Sequence, residues 1–211
     1  MVGYKRGARV DEVDPDSQLY VAFIGGAGSA TVYGDEAGAS AFGVDGTDAT
    51  YVNSRAGAPG AYMVANRSPA RGETLNAAGS TTNDSLFAAL GNVSLLAGSG
   101  SDLLSAGANT GSVGGAGTVV GGDTMMAGGG TDLMLFTHGT FTGGAVAINF
   151  SSADTIFLSG YNAAAGGNQA AMALAGATEA SGNTTIALTD GTHITFVDAT
   201  TTQLQGHVFS S

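Results

Sequence analysis

The chain contains no cysteine and no tryptophan, only 3 prolines in 211 residues, and no lysine or arginine beyond Arg71. Without cysteine, disulfides, thiolate metal centres and cysteine nucleophiles are all excluded. The six cations, Lys5, Arg6, Arg9, Arg55, Arg67 and Arg71, precede residue 72, whereas carboxylates continue as far as Asp198. A formal net charge of −11 repels nucleic acid and anionic lipid, because both are bound through Lys and Arg. Cations are the natural partners of such a surface. No apolar run reaches the roughly 20 residues that cross a bilayer, so membrane insertion is not expected. Residues 1–9 also lack the apolar core of a cleavable signal.

Catalytic signatures are missing as well. His138, His193 and His207 are the only histidines, and none has a second histidine or a carboxylate at ligand spacing. There is no G-x-S-x-G, no H-E-x-x-H, and no lysine after residue 71 to complete a phosphate loop. Asp35 and Glu36 are adjacent carboxylates on a turn, with nothing to separate their pKa values as sugar hydrolysis requires. The chain is therefore read as a non-enzyme.

What is abundant is glycine, 36 residues, and it recurs in phase. Residues 97–105 (AGSGSDLLS) and 127–135 (AGGGTDLML) are close copies of the nonapeptide G-G-x-G-x-D-x-U-x, where U is a large apolar residue. Three units run without a break from Gly25 to Tyr51, the phase blurs over 52–78, and it returns at 79–87, 88–96, 97–105 and 106–114. After a slip come 118–126 and 127–135. The eighth position is apolar in most units: Val32, Leu75, Leu86, Leu95, Leu104, Val113, Met125 and Met134. A short strand centred there points this side chain inward, and glycine supplies the tight turns between strands.

These features predict an all-β fold, a parallel β-roll or β-solenoid of nonapeptide repeats with a β-rich C-terminal cap. Residues 1–24 are a lead-in, 25–135 the roll with an irregular insertion at 52–78, and 136–211 the cap. Within the cap the alternation predicts strands over 145–150, 154–158, 184–188 and 192–197. Asp190-Gly191 marks a hairpin, and one short helix is expected in the Ala-rich stretch 163–180.

At these residues the chain resembles the RTX proteins, the hemolysin-type calcium-binding repeat family of Gram-negative bacteria. The likeness covers about 25–135 and extends into 145–211, where INF at 148–150, DTIFLSGY at 154–161 and LTDGTHITF at 188–196 look like that family's C-terminal segment. The resemblance implies secretion by the type I route with an uncleaved C-terminal signal, an extracellular location, and calcium held between stacked turns by the sixth-position Asp and backbone carbonyls. Calcium takes six to eight oxygen ligands, which carboxylates and glycine-turn carbonyls can supply.

The sixth position reads Ala30, Ala39, Asp48, Glu73, Asp84, Val93, Asp102, Gly111, Asp123 and Asp132, so nearly half the carboxylates are gone. Few calcium ions are therefore expected. Asp84 and Asp102 form the best column, with Asp123 next in that row, Asp132 in the opposite row and Asp48 a further candidate. A degenerate roll that folds without metal is the alternative. The ninth position holds Tyr33, Phe42, Tyr51, Phe87, Leu96, Met126 and Leu135, which should point outward as apolar stripes, either for self-association or to be covered by other parts of the chain. The functional expectation is a secreted structural protein of a surface layer, biofilm matrix, filament or adhesin. The alternative is the C-terminal carrier module of an exported enzyme or toxin that folds on extracellular calcium.

Overall fold

The computed structural model describes residues 21–24, 30–33, 39–42, 49–52, 60, 62–65, 73–88, 92–107, 112–114, 118–120, 123–139 and 145–211. The strands begin with β1 (Val21–Ile24), β2 (Ala30–Tyr33), β3 (Ala39–Phe42) and β4 (Ala49–Val52). Next come β5 (Tyr62–Val64), β6 (Glu73–Asn76), β7 (Ser85–Phe87), β8 (Val93–Leu96) and β9 (Leu103–Ser105). The chain continues through β10 (Ser112–Gly114), β11 (Thr118–Val120), β12 (Thr124–Met126), β13 (Leu133–Thr137), β14 (Ala145–Asn149) and β15 (Thr155–Ser159). It ends with α1 (Tyr161–Ala165), α2 (Gln169–Ala175), β16 (Thr178–Ala180), β17 (Asn183–Ala187), β18 (His193–Val197), α3 (Thr201–Leu204) and β19 (Val208–Ser210).

The molecule is mostly β-strand with few helices, as expected, and its two large sheets are mostly parallel. The first sheet runs β1-β3-β5-β7-β9-β13-β15-β19 and the second runs β16-β17-β18-β14-β12-β8-β6-β4-β2. From β1 to β9, successive strands go alternately to one sheet and the other. Only β16–β17–β18 pair antiparallel within the large sheets, and β17–β18 is the hairpin that Asp190-Gly191 predicted.

The interior follows from strand geometry. Side chains alternate across a strand, so a three- or four-residue strand presents one or two inward positions. These are the eighth positions of the repeat: Leu75, Leu86, Leu95, Leu104, Met125 and Met134 are all fully buried. They stack in register, Leu86 with Leu104 and Met134 in the first sheet, and Leu75 with Leu95 and Met125 in the second. With Ile148, Ile156 and Phe196 they form one core cluster. Among ninth positions whose burial is described, Phe87, Leu96 and Leu135 are partly covered and Met126 is exposed, outward as expected; the register instead aligns Tyr51 with Leu75 of the inward column, and the side chains of Tyr33, Phe42 and Tyr51 lie outside the described ones.

Several boundaries differ from the sequence reading. Val21–Ile24, placed in the lead-in, is a strand that pairs with β3. The stretch 52–78, expected as an insertion, contributes β5 and β6 to the two ladders. The unit 106–114 leaves the ladder instead: β10 and β11 form a separate antiparallel pair, and β12 pairs directly with β8. The region read as a separate cap continues both parallel ladders through β14, β15, β18 and β19. It also contains three short helices, α1 and α2 around the Ala-rich stretch where one was expected and α3 beyond it.

Glycine is needed where turns of successive layers touch. Ser99 N–H donates to Ser80 O at 2.9 Å, and Gly129 N–H donates to Gly98 O at 2.8 Å. A Cβ added to Gly128 would lie 1.6 Å from Gly98 O, whereas one added to Gly129 would meet nothing closer than 3.8 Å. Gly128→Ala should therefore force the turns apart and destabilise the fold by about 1–3 kcal/mol. Gly129→Ala, which lowers the entropy of the unfolded chain, should be neutral or slightly stabilising. Urea denaturation of both variants checks the pair, and equal losses would contradict the stacking.

Candidate functional site: a row of buried carboxylates

Asp84, Asp102 and Asp132 each immediately precede a strand of the first sheet, namely β7, β9 and β13. The paired residues Ser85, Leu103 and Leu133 put the three aspartates in one row. Asp154, before β15, extends the row by one layer, since Thr155 pairs with Leu133. Asp123 precedes β12 in the second sheet and faces Val93. The β10–β11 excursion has therefore exchanged the two expected assignments: Asp132 continues the Asp84/Asp102 row, and Asp123 belongs to the other. Asp48 lies outside the described residues.

The side chains of Asp84, Asp102, Asp123, Asp132 and Asp154 are all buried, with 1–2 % of their surface exposed. An ionised carboxylate in such a place needs hydrogen-bond donors or a countercharge. Here backbone N–H groups supply them, from two directions. Asp102 Oδ1 accepts from Asp84 N–H at 2.7 Å, across 18 residues of chain, and its Oδ2 accepts from Gly98 N–H of its own turn at 2.8 Å. Asp132 Oδ1 accepts from Asp102 N–H at 2.9 Å, 30 residues away. Asp154 accepts from Asp132 N–H at 3.2 Å and from Ser151 N–H at 2.8 Å. In the other row Asp123 accepts from Val93 N–H at 3.0 Å and from Gly107 N–H at 3.1 Å. Asp102, Asp123, Asp132 and Asp154 thus each tie their own layer to the preceding one.

The main chain runs the same stitch beside them. Leu103 N–H donates to Asp84 O, Leu133 N–H to Asp102 O and Thr155 N–H to Asp132 O, at 2.8–2.9 Å. Asp154 carries no glycine run before it and lies 22 residues after Asp132 rather than at the repeat spacing, so the sequence reading passed over it. The available signal was an Asp directly ahead of an apolar strand, in Asp154-Thr155-Ile156 as in Asp132-Leu133-Met134.

The fit to calcium follows from this geometry. Asp102, Asp123 and Asp154 have both carboxylate oxygens engaged by N–H donors. The second oxygen of Asp132 makes no hydrogen bond of its own, although the nearby Gly128 N–H still draws its pKa down. Among the described residues, no group of three or more His, Cys, Asp or Glu side chains converges on a point. An ion requiring six to eight oxygens would have to displace the fixed N–H donors. As held, Asp102, Asp123 and Asp154 fit backbone clamps.

The electrostatics agree with a clamp made of backbone donors. Burial, only partly offset by the N–H groups, pushes the Asp123 carboxyl up to about 7 and that of Asp132 to about 6, and it raises Asp102 as well. The remaining polar groups near the C-terminus hold local structure. The Tyr161 hydroxyl donates to Asp190 Oδ2 at 2.6 Å, and Thr201 N–H, at the start of α3, donates to Glu179 Oε1 at 2.6 Å. His207 Nδ1 lies 3.1 Å from Asp154 O, whereas His193 Nδ1 is buried without a partner.

A carboxyl with a folded pKa above its unfolded value near 3.8 binds protons in the folded state that the unfolded chain has released. Its contribution is therefore present at low pH and lost as pH rises through the folded value. The urea midpoint should fall as pH rises from about 4 to about 7 and then level off. Asp123→Asn should lower stability, because its amide N–H₂ meets Gly107 N–H, and should flatten the upper part of that slope. A slope unchanged in the variant would contradict the assignment.

No protein-family model and no curated protein sequence matches the chain, so the role of these carboxylates is read from their geometry.

Proposed function

We propose that the chain is a two-sided β-solenoid, a parallel β-roll of degenerate nonapeptide repeats, acting outside the cell as a structural protein of a surface layer, matrix, filament or adhesive contact. The observation that carries this reading is the use of the buried carboxylates. Asp102, Asp123, Asp132 and Asp154 are engaged in joining layers, so these buried acids serve architecture. The RTX-like C-terminal segment supports export by the type I route. Calcium, which that likeness implies, is not required by this reading, because backbone N–H groups already hold both carboxylate oxygens of Asp102, Asp123 and Asp154.

Far-UV circular dichroism and thermal melting, in chelator and in millimolar calcium, test the proposal. The expected result is a folded β-rich chain in both, with coincident melting temperatures. A calcium centre loaded at a hundred times its Kd would add about 2.7 kcal/mol, on the order of 5–10 °C for a chain of this size. A chain unordered in chelator that folds on calcium would overturn the structural reading in favour of a secreted carrier module. Confinement to the cytosol in fractionated producing cells would overturn the extracellular half.

A further inference from the structure

The strands of both sheets are poor in charge for so acidic a molecule, and the outer face of the first is the more apolar. The six strands β5, β7, β9, β13, β15 and β19 contain no charged residue. Tyr62, Leu133 and Phe209 stand on this face 44, 39 and 48 % exposed, and they are three of the five exposed large apolar side chains among the described residues. Phe87, Leu103 and Phe157 lie half-buried between them.

The large apolar residues of this face are placed symmetrically about its centre. One outward column reads Tyr62, Ser85, Leu103, Leu133, Thr155 from β5 to β15, and the next reads Val64, Phe87, Ser105, Leu135, Phe157, Phe209 from β5 to β19, so that Phe87 and Phe157 flank the central Leu103 and Leu133 one strand away on either side. A twofold axis parallel to the strands, between β9 and β13, turns this face over onto itself. It sets β5 against β19, β7 against β15 and β9 against β13. Such an axis preserves height along the strands, and the register places Phe87 level with Phe157 and Leu103 level with Leu133. Phe87 of one copy then meets Phe157 of the other, and leucines meet at the centre. At the ends Tyr62 and Phe209 lie one outward position apart, a diagonal that aromatic side chains span. Isologous contacts of a dimer require this kind of symmetry in a surface.

We propose that this face pairs with the same face of a second copy. The proposal rests on the structural reading above and specifies its self-association. Charge favours this partner: two chains of net charge −11 repel, and an uncharged face lets them meet with their carboxylates held apart. Size sets the strength. Six strands at about 4.8 Å give a face roughly 30 Å long, and two outward columns of side chains bury on the order of 400 Å² per copy. That is the small end of specific interfaces, so the dimer is reversible, with Kd about micromolar or weaker.

Sedimentation velocity of the full chain over a wide concentration range provides the test, with circular dichroism to verify folding. The wild type should shift from monomer to dimer, and Phe87→Lys or Phe157→Glu alone should weaken dimerisation by roughly a hundredfold or more. Combined, the two substitutions should restore it, because the twofold axis places the introduced ammonium at position 87 of one copy against the introduced carboxylate at position 157 of the other. A wild type that stays monomeric throughout overturns the proposal, as does a dimer indifferent to the single changes. Loss in both single variants without rescue in the double overturns the twofold register. If the charged variants fail to fold, Tyr62→Ser and Phe209→Ser, at the exposed ends, replace them, and undiminished dimerisation in both has the same overturning force. None of these outcomes depends on whether the chain folds without calcium, so failure here is separate from failure of the structural reading.

Discussion

Layer is tied to layer in this protein by aspartate carboxylates that accept backbone N–H groups from the turn before them. Burial makes a bare carboxylate costly, and the stretch of chain that carries these acids has no lysine or arginine of its own, since none follows Arg71. The donors that compensate are fixed by the main chain: Asp84 N–H on Asp102, Asp102 N–H on Asp132, Asp132 N–H on Asp154. An N–H in such a turn would otherwise lack a partner, so donor and acceptor each remove the other's desolvation penalty. The arrangement works only if successive turns are in register, which links the electrostatics of one side chain to the pairing of whole strands.

That register sets the demands on the rest of the sequence. Turns that stack at strand spacing leave no room for a Cβ at Gly98, Gly128 or Gly130, where the carbonyl of the layer below lies within 2.3 Å of the place it would take. Strands of three to five residues bury too little individually to be stable, so stability comes from one inward leucine or methionine per strand repeated over many layers. The outward positions are freed from the core. They carry an apolar face on one sheet, the surface proposed to pair with a second copy.

Much of this was legible in the chain. Leu75, Leu86, Leu95, Leu104, Met125 and Met134 were placed correctly in the core because two periods coincide there, the alternation of a strand and the nine-residue spacing of glycine turns. Asp190-Gly191 marked its hairpin through local turn chemistry alone. Asp102 and Asp84 were read as stacked because 18 residues separate them. Less visible was any feature that depends on how much chain a layer consumes. Between Asp102 and Asp132 it uses 30 residues, because β10 and β11 pair with each other outside the ladder, and a reading by spacing therefore placed Asp123 in the wrong row. Asp154 was passed over for the same reason, and 52–78 looked like an insertion although it supplies two strands.

By itself, the sequence determined the strand-rich class, the inward residues, the sites of the tight turns and the sign of the electrostatic field, all of which depend on residues near one another along the chain. Only the tertiary structure decided which carboxylates share a row, what answers their charge, and which outer face is apolar and symmetric. Those are relations between layers, and the distance between layers is set by loops whose length carries no periodic signal. Whether a buried aspartate meets a metal ion or an N–H depends on where the neighbouring turn's backbone points, and that direction is fixed only once the strands have paired.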